Sequence, residues 1–116
     1  MKRIAAVVTV LVLGAACGGD LGQPDARDQA TKASCDWYAK CGEIGSGEQF
    51  ATRDDCEVEV RAGWNSLWPY EECNGRIPPD KLELCISAIK ITSCDNAFDI
   101  WNTLAVKCGK AEVCSG

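Results

Sequence analysis

The sequence predicts an all-α fold, a small disulfide-stabilised four-helix bundle, and three observations lead there. Apolar residues recur at three- and four-residue intervals along four separate stretches. The four prolines stand at the borders of those stretches and not inside them. Of nine cysteines, one sits near the N-terminus behind an apolar run and eight lie in the remainder, an even number suited to a cross-linked small domain.

The N-terminus comes first. Lys2 and Arg3 precede a ten-residue apolar run, Ile4 to Leu13, broken only by Thr9, and Gly14-Ala15-Ala16 follow as a small-residue exit. This order describes a signal peptide over residues 1–16, since a membrane span needs about twenty apolar residues. Ala15-Ala16-Cys17 resembles the lipobox of bacterial lipoproteins, with Gly14 where leucine is usual and Leu13 one place earlier. The resemblance implies that Cys17 is lipidated and becomes the mature N-terminus, so that the protein is exported and held at a membrane by its N-terminal lipid. Gly18 in the second mature position points to the outer membrane. The plainer reading, cleavage without lipid, leaves Cys17 a free thiol in an oxidising compartment.

Loss of Lys2 and Arg3 takes the balance from 12 bases against 17 acids to 10 against 17, a net charge of −7. Such a chain is a poor partner for nucleic acid or anionic lipid. Residues 17–25, rich in glycine and closed by Pro24, read as a flexible tether, with the disulfide-rich helical domain over 26–116.

In the first predicted helix, Asp28, Lys32, Asp36 and Lys40 are spaced by four, mostly acid before base. Ala26, Ala30, Ala33, Trp37 and Cys41 make its apolar stripe, and Gly42 its stop. Cys35 and Cys41 lie about 120° apart around such a helix and ~9 Å apart along it, too far to join each other. They should staple this helix to two different neighbours, with Cys41–Cys56 the expected clip to the next one.

After a loop containing Gly45-Ser46-Gly47, Thr52 to Asp55 resemble a capping box with acids in the first turn. Cys56, Val60, Gly63, Trp64 and Leu67 then share one face, supported by an Arg53, Glu57, Arg61 ladder, and Pro69 ends the run. An irregular connection carrying Cys73 leads to Pro78-Pro79, which open the third helix. There Leu82, Leu84, Cys85, Ile86, Ala88, Ile89 and Ile91 cover so much of the circumference that this helix is expected to be central. Ser93 to Asn96, with Cys94, break the chain. Ala97, Phe98, Trp101, Leu104, Ala105 and Cys108 form the last stripe, ended by Gly109. Lys40-Cys41-Gly42 and Lys107-Cys108-Gly109 read as the same helix-end chemistry. Cys114 completes the set of eight.

Chemistry is sparse. With no histidine, no Ser-His or Cys-His nucleophile can form, and Ser46 lacks the nucleophile-elbow pattern. Asp54/Asp55 and Glu71/Glu72 are adjacent acids of the kind found at helix starts and in wet loops. The zinc, EF-hand and Cys-x-x-Cys spacings are all missing. Neither an enzyme, nor a cofactor, nor a metal site is expected. Trp37 and Trp101 fall in core stripes, whereas Trp64, Trp68 and Tyr70, grouped around Pro69, suggest an exposed aromatic ledge for a protein partner. Packing over a thin core is the competing reading of that group.

The lipobox-like start, acidic helical body and eight cysteines together resemble small cysteine-rich lipoproteins of myxobacteria and their relatives. That likeness covers the whole chain, implies an envelope location, and assigns a role only to Cys17. Two functions follow as expectations. One is a membrane-anchored, non-catalytic interaction module. The other is a carrier of a small apolar ligand or lipid, held in a closed cavity against Leu82, Ile86 and Ile89.

Overall fold

The structure, a computed structural model, describes residues 19–95 and 97–114, with the side chains at 97–99 and 101 outside that description. The signal at 1–16, Cys17 and the core position of Trp101 therefore lie outside the described residues. Six helices follow one another among the described residues: α1 Gln23–Lys40, α2 Arg53–Leu67, α3 Tyr70–Cys73, α4 Pro79–Lys90, α5 Ala97–Val106 and α6 Lys110–Val113. The four longer helices occupy the four predicted stretches. Single-turn α3 falls in the connection read as irregular, and α6 follows the last predicted helix. Extended pairing among the described residues is limited to two isolated bridges, Leu21 with Ile77 and Ile44 with Phe50.

The fold begins earlier than the glycine-rich composition suggests. Leu21 N–H donates to the Ile77 carbonyl at 2.7 Å, and Gly75 N–H returns to Leu21 at 3.1 Å. Gln23, assigned to the tether, is 1 % exposed. Its backbone N–H donates to Asn74 Oδ1 at 2.9 Å, and its side-chain amide donates to Trp68 O at 2.8 Å and Asn65 Oδ1 at 3.0 Å. Leu21 and Gln23 therefore belong to the folded part of the chain, because these groups are already paired with it.

Helix α1 is the hub, packing on both α2 and α4. Ala26 and Ala30 are fully buried, and their short side chains let neighbouring backbones approach closely. Sequence patterning favoured α4 as the central helix. Its Leu82, Cys85 and Ile89 are indeed buried, but Leu84 is 60 % and Ile91 85 % exposed. An apolar majority around a helix does not bury it when only one side has neighbours.

Helix ends follow local chemistry. At the end of α1, Gly42 takes φ +76°, Gly42 N–H reaches Ala39 O at 3.1 Å and Glu43 N–H reaches Tyr38 O at 2.9 Å. This is the Schellman arrangement. Thr52 caps α2, its hydroxyl accepting from Asp55 N–H at 3.1 Å. Gly109, read as a counterpart of Gly42, is different. Its φ is −60° and it is the N-cap of α6. Its lack of a side chain matters because a Cβ there would lie 2.8 Å from the Ala105 carbonyl oxygen.

Four disulfides cross-link the helices. Cys35–Cys56 ties α1 to the first turn of α2, Cys41–Cys94 ties the end of α1 to the segment before α5, Cys85–Cys108 ties α4 to the segment after α5, and Cys73–Cys114 joins the ends of α3 and α6. Cys35 and Cys41 do hold two different neighbours. The expected Cys41–Cys56 pair is not formed. The loop after α1 delivers the start of α2 opposite Asp36, which Arg53 meets at 2.8 Å, so Cys56 arrives beside Cys35. Bridges at this density are the signature of a chain exported to an oxidising compartment.

Candidate functional site

Trp64, Trp68 and Tyr70 do not form an exposed ledge. Trp64 is 3 % and Trp68 0 % exposed, with ring centroids 4.6 Å apart. The Trp64 indole donates to Ser34 Oγ at 3.2 Å and that of Trp68 to the Cys108 carbonyl at 2.8 Å. Helix α2 stops at Leu67, and Trp68, at φ −119° and ψ 77°, leaves the helical path. Its side chain thus escapes the angular position that a continued helix would give it, and swings inward. Tyr70 alone is exposed, its hydroxyl accepting from Asn74 Nδ2 at 3.0 Å.

Among the described residues, Leu82, Ile86 and Ile89 line no closed cavity. Leu82 and Ile89 belong to the filled core beside the Cys85–Cys108 bridge. Leu82 and Ile86 also border an open depression of about 520 Å³, whose edge carries Asp80, Glu83 and Lys90.

A more apolar groove opens elsewhere. It measures about 540 Å³ and lies between α1, α2 and α5. Helix α1 contributes Ser34, Trp37 and Tyr38, and the loop before α2 contributes Gln49 and Phe50. Helix α2 gives Glu59, Val60, Gly63, Trp64, Ser66 and Leu67, and Ile100, Leu104 and Ala105 line it from α5. Its volume lies within the range of small-molecule sites, about 300–1,000 Å³. Its frame is stiff. Trp37 donates to the Thr92 carbonyl at 2.9 Å, and Tyr38 meets Trp37 and Phe50 edge to face at 5.1 and 5.0 Å between centroids.

One end of the groove is polar. Burial raises the Tyr38 phenol above its ordinary 10.0, hydrogen bonding by Gln49 opposes this, and the carboxylates of Glu43 and Glu59 add to the rise. Of these, Tyr38, Gln49 and Glu59 line the groove, and Glu59 makes this end negative. Arg53 and Arg61, the bases of α2, are committed to Asp36, Glu57 and Asp28.

Sequence reasoning missed Tyr38, Phe50 and Glu59, which lie in no stripe. The available signal was the adjacent Trp37-Tyr38 pair together with a lone Phe50 in a small, polar loop. Of the adjacent acids, Asp54, Asp55 and Glu71 lie on the surface, and Glu72 pairs with Lys110. Among the described residues no three His, Cys, Asp or Glu side chains are grouped to hold a metal, and no helix is long and apolar enough to cross a membrane. Every buried side-chain nitrogen or oxygen among them has a hydrogen-bond partner, so the groove owes its shape to packed walls and not to an orphaned polar atom.

No curated protein and no solved structure matches the chain. A family model does, over residues 35–116, a span that contains all eight bridged cysteines and every groove-lining residue except Ser34. The chain belongs to the family of unknown function DUF6184.

Proposed function

We propose that this protein is a non-catalytic binding module of the bacterial cell envelope. In this reading it is exported by residues 1–16, anchored through a lipid on Cys17 in the manner of myxobacterial lipoproteins, and placed at the outer membrane. Helices α1, α2, α4 and α5 are read as a four-helix bundle opened along one seam, and a small apolar ligand occupies that seam. The supporting observation is the groove itself, about 540 Å³ with aromatic and aliphatic walls. Burial of Trp64 and Trp68 removes the aromatic surface on which a protein-partner reading rested, and so favours the ligand.

Three measurements test this. Intact-mass analysis of protein made with its leader should give a chain starting at Cys17, carrying acyl groups and four disulfides. Cys17→Ser should fold with the same bridges and no longer sediment with membranes. For the ligand, Gly63 lines the groove and an added Cβ there meets nothing within 4 Å. Gly63→Trp should fill the groove without disturbing the core, and abolish binding of an apolar fluorophore. Equal binding by Gly63→Trp and the native protein would overturn the groove assignment.

A further inference from the structure

We infer that the groove is selective for a cationic amphiphile, a small molecule with an apolar tail and a positively charged amine head. This rests on the groove being a binding site and adds the chemistry of its ligand.

The tail's place follows from the walls. Trp37, Trp64 and Leu67 on one side and Ile100 and Leu104 on the other present apolar surface with only serine hydroxyls between. Burial against such walls is favourable in proportion to area and does not discriminate between head groups. Discrimination must come from the polar end, where Tyr38, Gln49 and Glu59 line the groove.

Three features there point to a cation. Glu59 is the one formally charged side chain among the described residues lining the groove. Among the described residues Glu59 has no ion-pair partner within 4.0 Å, and Arg53 and Arg61 on the same helix are engaged elsewhere. The one acid that lines the groove is thus left uncompensated. Beside it sits an aromatic cluster, Tyr38 against Phe50 and Trp37, and ring faces attract ammonium groups through their quadrupole. A carboxylate or sulfate head placed at the same end would meet the like charge of Glu59 with no described base in the lining to offset it. The overall charge of −5 favours approach of a cation as well.

The experiment uses three single-chain probes of equal tail length, below their micelle-forming concentrations: dodecyltrimethylammonium, dodecanol and dodecanoate. Binding is read by calorimetry on the native protein, on Glu59→Gln and on Gly63→Trp. The expected order is dodecyltrimethylammonium tightest, dodecanol about tenfold weaker, and dodecanoate weakest. Glu59→Gln should weaken the cation about tenfold, leave dodecanol unchanged and tighten dodecanoate. Glu59 is exposed, so the variant should fold, and an unchanged dodecanol affinity certifies the groove in the same preparation. If all three probes bind alike, or dodecanoate binds best, charge selection is wrong while the groove stands. If none binds, or if Gly63→Trp binds all three as well as the native protein, the groove reading itself falls.

Discussion

The side-chain amide of Gln23 reaches across 45 residues of sequence to donate to the backbone carbonyl of Trp68 at 2.8 Å. Both residues are essentially inaccessible to water. Trp68 has left its helix, so its carbonyl depends on partners other than the next helical turn. Gln23→Leu keeps the volume and removes the donor, which should cost about 1–3 kcal/mol through the unpaired buried acceptor. For a domain of this size each kcal/mol is about 4–8 °C in melting temperature, so a thermal melt followed by circular dichroism checks it. An unchanged melt would show that the N-terminal segment docks without contributing.

Two glycines should respond to alanine in opposite directions. Gly63 lies inside α2, and a methyl group added there meets only open space, so Gly63→Ala should stabilise by about 0.5–1 kcal/mol through helix propensity. Gly109→Ala would place Cβ 2.8 Å from the Ala105 carbonyl oxygen, and relieving that clash should cost about 1–3 kcal/mol. Urea unfolding of the pair reads both signs in one series.

Reduction should proceed bond by bond. Cys94 is exposed and Cys41 partly so, whereas Cys35, Cys56, Cys85 and Cys108 are each 0 % exposed. Access limits thiol–disulfide exchange, so limited reductant followed by alkylation and peptide mapping should label Cys41 and Cys94 first. Removing this pair as Cys41→Ser/Cys94→Ser should cost about 2–4 kcal/mol. Initial labelling of Cys85 or Cys108 would contradict the packing around α4.

Acid should weaken the contact between α1 and α2. The Lys32 hydrogen bond is foremost in holding the Asp36 carboxyl below its ordinary 3.8; burial opposes it, and Arg53 adds to the lowering. A carboxyl whose folded value is lowered contributes stability above its unfolded value and loses it as pH falls through the folded one. The groups are half exposed, so solvent screening limits the effect to about 0.5 kcal/mol. Asp36→Asn should therefore be less stable than the native protein at pH 6 and equal to it near pH 2, as denaturant midpoints would show.

Much of the helical framework was legible in the sequence because its signals are local. The Thr52 cap, the Gly42 stop, the alanine stripe of α1 and the Arg53–Glu57 pair each involve residues within a few positions of one another. What was not legible depends on how helices meet. Periodicity places Trp68 correctly only if α2 continues through it, and α2 stops one residue earlier. Cys41 and Cys56 are neighbours in the pattern of cysteines, yet the loop between them returns the chain to the level of Cys35. The groove was hidden for the same reason, since Tyr38, Phe50 and Glu59 come together only after three elements are packed.

The pairing of the cysteines divides the chain in an uneven way. Cys35–Cys56 encloses one N-terminal ring, while Cys85–Cys108 nests inside the C-terminal ring closed by Cys73–Cys114. Only Cys41–Cys94 interlaces with all three others. Seen as a graph, it is the single edge joining two otherwise separate halves. A protease nick anywhere between residues 57 and 72 therefore releases no fragment while that bond is intact, and separates the molecule into two pieces once it is reduced. The most accessible bridge is also the one that makes the protein covalently whole.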